Sequence, residues 1–566
     1  MGSVDWDQHF FYHGVFFRAL YEYFQLPFWN PWGCGGNVLW QNPQIPILSP
    51  VYFLAPFVSM ALAMKINIWI HYLIGFLGMH LLLTKVFDFK FGPLVVFLSS
   101  VFVFSGGIAV HLFVGHSTFL PALFAPLLYF FVFYSLKSGK FIYIPLAGIV
   151  GAVALYNGGV YVFNYTALPL GLICVLWSLF SRRLQPTLAA ASAPIFSIFF
   201  AAPKVFPVLA YKFSDYAWDT RGGVNRSVII PIRLIWRSLI DSYQNRDQQI
   251  WDEIGGFHEV GNYIGTPATL LFLAALIWLV YQLLRRRASN PFAYAVGLTL
   301  MVVFLTMRGN FSELAPYSLM KNVPLIKDMR VPTRFGLAIV PLIVILVSAT
   351  LGDFVGSKKV EGSLHIFLWA LCLLASFDIG YNNSAQLADA FREPSLDHRF
   401  HIGAQSQSYA LDTTTDPYTG NSPSYRALTR NVNLVNCYEP MQLRHVLHRD
   451  QPLLFADQGV NIEHIHFSPS RFTFTVNSSS PGKIYLNQNF IEGWTSTLGD
   501  LQLDPATSLG AVGVKAGPSA EHSIYFRPPL LSFGIAVMIL AIAISWMLRD
   551  RRFNPVRIHK NASQLI

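Results

Sequence analysis

A polytopic α-helical membrane protein, closed by an extracytoplasmic β-sandwich-like domain and a final transmembrane helix, is the fold that the sequence predicts. Three observations predict it. The 566 residues are 53% hydrophobic but only 12% charged, about half the charged share of a soluble domain. Apolar runs of membrane length recur over the first 380 residues. Beyond residue 381 they give way to polar–apolar alternation, and one further apolar run follows near the end.

The chain opens with VDWDQHFFYHG at residues 4–14, two acids and two histidines ahead of the apolar runs. It continues through FWNPWGCGGNVLWQNPQIPILSP at 28–50, too rich in Trp, Pro, Gly and Asn for a spanning helix. A span needs about 20 largely apolar residues. Candidate spans are 67–86, 92–113, 117–136, 141–156, 160–180, 187–209, 264–284, 292–308, 334–355, 364–380 and 530–548. The run 48–64 is also apolar, but Pro50 and Pro56 interrupt it.

Excess Lys and Arg marks the cytoplasmic side of a membrane protein. The clusters Lys85/Lys90, Lys137/Lys140, Arg182/Arg183, Arg285 to Arg287, Lys358/Lys359 and Arg549/Arg551/Arg552 all fall inside if 48–64 does not cross. Residues 1–66 are then a first external loop with an interfacial or re-entrant helix. Residues 67–380 form the transmembrane domain, with external loops 211–263 and 309–333. Residues 381–528 form the extracytoplasmic β-rich domain, 529–548 the C-terminal transmembrane helix and 549–566 a basic cytoplasmic tail. Because no span precedes the first external loop, a first helix missing from the sequence as given is expected. Multi-pass insertion in a bacterial cytoplasmic membrane is the expected location.

The net charge of +10 does not point to nucleic acid, because the cations collect in short clusters between apolar runs. Cys34, Cys174, Cys372 and Cys437 show no metal-ligand spacing. Two lie inside apolar runs, so no disulfide framework is expected. No phosphate loop, dinucleotide fingerprint, zinc signature or nucleophile elbow is present. No cofactor is called for, and a divalent metal is left open.

Asp5 and Asp7 are the candidate catalytic acids, with Asp5 slightly preferred. A carboxylate at the membrane surface can take a proton from an acceptor hydroxyl, and burial under aromatics raises its pKa towards the useful range. Arg330 and Arg334, with Lys327 and Lys321, sit in KNVPLIKDMRVPTRF at 321–335. Guanidinium forks suit phosphate oxygens; anchoring to lipid headgroups or an ion pair with an acid of loop 211–263 is the alternative. That loop carries Asp215, Asp219, Arg221, Arg226, Arg233, Arg237, Asp241, Arg246, Asp252, Glu253, His258 and Glu259. His111 and His116 can bind phosphate or orient an acid, or be interfacial histidines. Asn157 and Asn164 flank an outward turn and could touch sugar. Glu259, Asn262 and Tyr263 in FHEVGNYIG could line an acceptor site, or simply start a helix.

At DWDQHFFYHG, the aromatic stretch 28–50, GNYIG, MRVPTRF, and NFIEGW running into YFRPPLLSFGIAV, the sequence resembles the YfhO-like bacterial membrane proteins of the GT-C superfamily. The resemblance covers most of the chain. It implies a GT-C fold, a catalytic acid in the first external loop and a polyprenyl-phosphate-linked sugar donor. The expected reaction moves that sugar to an extracytoplasmic glycan or polymer, with membrane lipid and these glycans as partners. A flippase for lipid-linked sugars and a non-catalytic envelope assembly factor are the alternatives.

Overall fold

The computed structural model describes residues 5–556 except 91, 215–228, 248, 250, 252–255, 286–289, 324–325, 327–328, 330, 356–362, 391–409, 413–423, 430 and 435–450. Among the described residues seven helices are long and apolar enough to cross a membrane: Met60–Val86, Pro93–Phe113, Ser117–Ser138, Val160–Ser181, Thr266–Leu284, Pro332–Leu351 and His365–Ser384. An eighth is the pair Gln185–Phe200 and Ala202–Lys212, bent by 84°. Tyr143–Tyr156, Pro291–Met307 and Leu531–Met547 are shorter apolar helices. This architecture is compatible with a polytopic membrane protein.

The helices fall on the expected runs, with differences that have local causes. The run 48–64 is not one element: Ser49 caps the short helix Pro50–Leu54, and Ser59 caps a long helix that starts at Met60 rather than at 67. The run 187–209 is two helices instead of one. Pro203 lies at the start of the second, where a missing N–H costs nothing. The buried Lys204 ammonium crosses the break, donating to the carbonyls of Trp40 (2.6 Å) and Asn42 (2.7 Å), while Trp40 Nε1 donates to Pro203 O at 2.8 Å. Residues 92–113 also break, at Ser105, into Pro93–Phe104 and Gly106–Phe113. A break exposes helix-end N–H and C=O groups. Here Asn383 Nδ2 donates to Phe104 O at 2.8 Å, and Gly106 N donates to Tyr263 O at 2.9 Å. The helix holding Asn383 runs from Ser363 to Ala390, ten residues past the expected end of the transmembrane domain at 380.

Residues 5–66 hold more regular structure than the expected loop. Trp6–Phe17 is a wholly buried helix, prolonged by a π-helical turn over Arg18–Glu22. The aromatic stretch after it is the joint between the helices and the C-terminal domain. Trp29 is fully buried; its Nε1 donates to Gln488 Oε1 at 2.5 Å, and its ring packs on Trp494 and Phe526 with centroids 5.0 and 4.9 Å away. Asn489 donates to the carbonyls of Cys34, Gly35 and Gly36. Cys34 is disulfide-bonded, which corrects the expectation that the cysteines form no disulfide. Cys174 and Cys372 are free thiols, and Cys437 lies outside the described residues.

The C-terminal domain contains two four-stranded antiparallel sheets. One is ordered Gln502–Leu503, Gly510–Val514, Gly482–Leu486, Leu454–Ala456; the other Val460–Ser468, Arg471–Ser478, Gly517–Phe526, Trp494–Ser496. Phe472, Phe474 and Val476 alternate inward along one strand and are buried, as a half-buried strand requires. Val460–Ser468 is an edge strand, and a register shift between Glu463 and His466 interrupts it, a device that discourages edge-to-edge pairing.

At the other end of the helices Lys137 Nζ reaches Asp88 Oδ2 at 2.5 Å and the carbonyls of Lys85 and Val86. The segment after the last helix returns along the same end: Phe553 N donates to Gly139 O and Phe141 N to Arg551 O.

Replacing Trp29 with Ala removes the aromatic core of the joint. A loss of about 3–5 kcal/mol is expected for such a truncation, read as a lowered thermal transition in detergent and faster proteolysis between the helices and the β domain.

Candidate functional site

The site is built on one docking contact. Asp5 takes the N-cap position of the opening helix, but its side chain makes no capping bond. Its backbone N–H donates to Val114 O at 3.1 Å, and Trp6 Nε1 donates to Leu112 O at 2.8 Å. The helix end thus sits on the turn between the helices Gly106–Phe113 and Ser117–Ser138. Gly115 permits this approach: its φ is +91°, and a Cβ there would lie 2.4 Å from Trp6 N. Glycine alone adopts that conformation without steric penalty.

The same turn aims His116 at the acid. His116 Nε2 lies 3.3 Å from Asp5 Oδ2, and its Nδ1 lies 3.1 Å from His111 Nδ1. With Nε2–H donated to the carboxylate, a neutral His116 accepts at Nδ1, which makes His111 Nδ1 the donor. Both rings stack on Phe119. The His258 ring lies 6.3 Å from that of His116, and His258 Nε2 is 3.6 Å from Glu259 Oε1. Glu259 closes the cluster by accepting Arg334 Nε and Nη2, each at 2.7 Å, in a two-pronged pair. The Arg334 guanidinium also lies over Phe119 at 5.3 Å. Exposed fractions of 14 to 32% for Glu259, Arg334, His116, Asp5 and His258 leave the cluster reachable from solvent.

Charge and burial oppose one another here. Burial alone raises the carboxyl pKa of Glu259, but the adjacent Arg334 guanidinium reverses that and holds it well below the usual range. Burial also pushes the His258 pKa down, with Glu259 acting the other way. The cluster and the Lys137–Asp88 joint lie at opposite ends of the 22-residue span Ser117–Ser138, eight residues of 3-10 helix followed by fourteen of α-helix, about 37 Å apart at those rises.

No family model, curated protein or solved structure matches the chain.

The cluster thus gathers six side chains, Asp5, His111, His116, His258, Glu259 and Arg334, from four separate regions of the sequence. Of the residues singled out from sequence, Asp5, His111, His116, Glu259 and Arg334 come together. Asp7 does not join them: about half a helical turn later it is buried, and its two carboxylate oxygens each lie 3.4 Å from the backbone N of Tyr425. Asn262 is buried and structural. It donates to Val260 O at 2.7 Å and fills the space left by Gly107 and Gly336, whose added Cβ atoms would come within 2.6 Å of its amide. Tyr263 OH donates to Asp378 Oδ2 at 3.1 Å, and its carbonyl accepts Gly106 N–H, so this residue ties the loop to two helices. Burial pushes its pKa up to about 12. Lys321 lies over the Tyr317 ring. Arg330 and Lys327 fall outside the described residues, as do Asp215, Asp219, Arg221, Arg226, Asp252 and Glu253 of the long loop. Asn157 Nδ2 donates to Val153 O in its own helix.

His258 is the member that sequence reading did not single out; only its place beside Glu259 pointed to it. His9 and His13 lie behind the cluster. His9 Nδ1 and His13 Nε2 are buried with no hydrogen-bond partner, whereas His13 Nδ1 bonds His9 O at 2.8 Å. Among the described residues no three His, Cys, Asp or Glu side chains are placed to hold a metal ion.

Burial lowers the pKa of His9 from 6.5 to about 3 and that of His13 from 6.5 to about 4. Both rings are neutral in the fold, so below about pH 6.5 the unfolded chain binds more protons. Their contribution is full above that pH and is lost as pH falls towards 4 and then 3. The thermal transition is therefore expected to drop across that window, and His13→Gln should flatten the slope. Gly115→Ala should lower the transition at every pH, by at least about 1 kcal/mol from a strained φ; an unchanged transition would remove the docking role given to Gly115.

Proposed function

We propose that the chain is an integral-membrane glycosyltransferase of GT-C type. It moves a sugar from a polyprenyl-phosphate-linked donor to a cell-envelope acceptor outside a bacterial cytoplasmic membrane. The observation that supports this reading is the meeting of Asp5 and Arg334 around one histidine cluster, although 329 positions separate them in the sequence.

In this reading Asp5 is the general base. It takes the proton of an acceptor hydroxyl as that oxygen bonds to the anomeric carbon and the bond from that carbon to the phosphate oxygen breaks. His116 orients the carboxylate through Nε2–H. Arg334 meets the departing phosphate through Nη1, the arm of the fork that Glu259 does not hold, and His258 stands beside it. Arg330 and Lys327 are further phosphate candidates.

Two features support the orientation. A disulfide at Cys34 suits an oxidising compartment, and Cys34 lies in the joint with the β domain. Lys85, Lys137, Arg551 and Arg552 gather at the far end of the helices, as cytoplasmic loops do.

Asp5→Asn is expected to lower transfer from a polyprenyl-phosphate sugar by about 10²–10⁴-fold, the usual worth of a positioned base, with an unaltered thermal transition. Asp7→Asn should instead lower the thermal transition, because Asp7 lies buried against the Tyr425 backbone. Undiminished transfer by the Asp5 variant would dismiss Asp5 as the base.

A further inference from the structure

The two sheets of the β domain part at one end around a cavity of about 330 Å³, near the lower end of small-molecule sites. The pairing of the strands explains why it is there. Gly517 lies directly opposite Ser478, and His522 opposite Phe474. Residues directly opposite in an antiparallel pair share a face. Phe474, Val476 and Ser478 are buried on the inner face, so position 517 also faces inward and brings no side chain. A Cβ on Gly517 would meet nothing closer than Lys515 O at 4.0 Å. A register shift between Gly517 and Ala520 widens the mouth.

The lining has a clear chemical character. Val476, Val514 and Leu498 form an apolar floor, Ser478 adds a hydroxyl, and Lys515 and His522 stand at the rim. Among the described residues no acidic side chain lines the cavity. Glu521, next to His522, is exposed and alternates to the other face. His522 Nδ1 lies 3.5 Å from Thr497 Oγ1, which holds the ring at the mouth. An apolar floor beneath two basic side chains fits a compact body carrying a negative group.

We propose that this cavity binds the acidic group of a saccharide, a carboxylate or a phosphate on a sugar ring, so that the β domain selects an anionic glycan as acceptor. That the ligand is a saccharide, and that it is the acceptor, rests on the transferase reading; the charge preference rests on the cavity alone.

The test uses the full chain in detergent, titrated calorimetrically with trigalacturonate, galactose 6-phosphate and neutral galactotriose. Binding of either acidic sugar at least ten-fold tighter than galactotriose is expected, and comparison of the two identifies carboxylate or phosphate as the preferred group. Lys515 is exposed, so Lys515→Glu should keep the thermal transition and lose at least ten-fold in affinity. Gly517→Leu should fill the hollow and abolish binding. Equal affinity for acidic and neutral saccharides, no binding of either acid, or full affinity in the Lys515 variant overturns the assignment. Asp5→Asn separates the two proposals: it should keep acidic-sugar binding while losing transfer. A variant that keeps both leaves the cavity standing and removes Asp5 as the base, whereas unsubstituted protein that binds the acidic sugar but transfers none leaves the cavity standing and removes the transferase reading.

Discussion

A helix interrupted inside an apolar layer leaves N–H and C=O groups that no water can take, and this constraint shapes the whole molecule. The helical domain has breaks at Ser105 and Ala201, and each is met by a segment distant in sequence. Asn383 and Tyr263 serve the first. Tyr156, whose hydroxyl donates to Phe200 O, and Trp40, whose Nε1 donates to Pro203 O, serve the second. The candidate site follows from the first arrangement. The same loop that delivers Tyr263 O to Gly106 also carries His258 and Glu259 to the helix end where His111 and His116 lie. Structural necessity and chemistry therefore share one short segment.

The electrostatics of that segment are self-limiting. Arg334 is a strong anion receptor, yet Glu259 occupies two of its donors in the resting arrangement. Such a pair stabilises the fold only while both partners remain, since either charge alone would be partly buried without compensation. The histidines beside it add polar capacity without fixed charge. Three imidazole rings offer nitrogens that can donate or accept, whereas a lysine or a further arginine would bring fixed positive charge beside Arg334. This explains why the centre is rich in imidazole.

Much of this was legible in the sequence. The apolar runs marked the helices, because helix position in a membrane protein is governed by composition over a length of about 20 residues. Alternation in RFTFTV marked the strand that carries Phe472, Phe474 and Val476. Pro332 and Arg334 marked a helix start, and the structure begins a 3-10 turn at Pro332. What composition does not encode is direction. Asp5 and Asp7 look equivalent in the chain, but two residues along a helix turn a side chain by about 200°, which puts one at the histidines and the other against Tyr425. Asn262 looked like a sugar ligand because nothing local reveals that Gly107 and Gly336 lie on either side of it. His258 was hidden for the same reason, as its neighbours arrive from other helices. The break at Ala201 was missed because the groups that meet its carbonyls, Tyr156 and Trp40, lie 44 and 163 positions earlier.

The joint around Trp29 has an implication for biogenesis. Its hydrogen bond to Gln488 links residues 459 positions apart, and Arg18 reaches Leu428 across 410. A ribosome adds roughly 5–20 residues per second, so the opening aromatic stretch waits on the order of half a minute or more before its mates emerge. During that interval Trp29 and Trp32 lack the partners that bury them in the fold, and indole rings partition well into a bilayer border. The lipid headgroup zone would then serve as a temporary shelter, and maturation would finish only when the β domain pulls that stretch out of it.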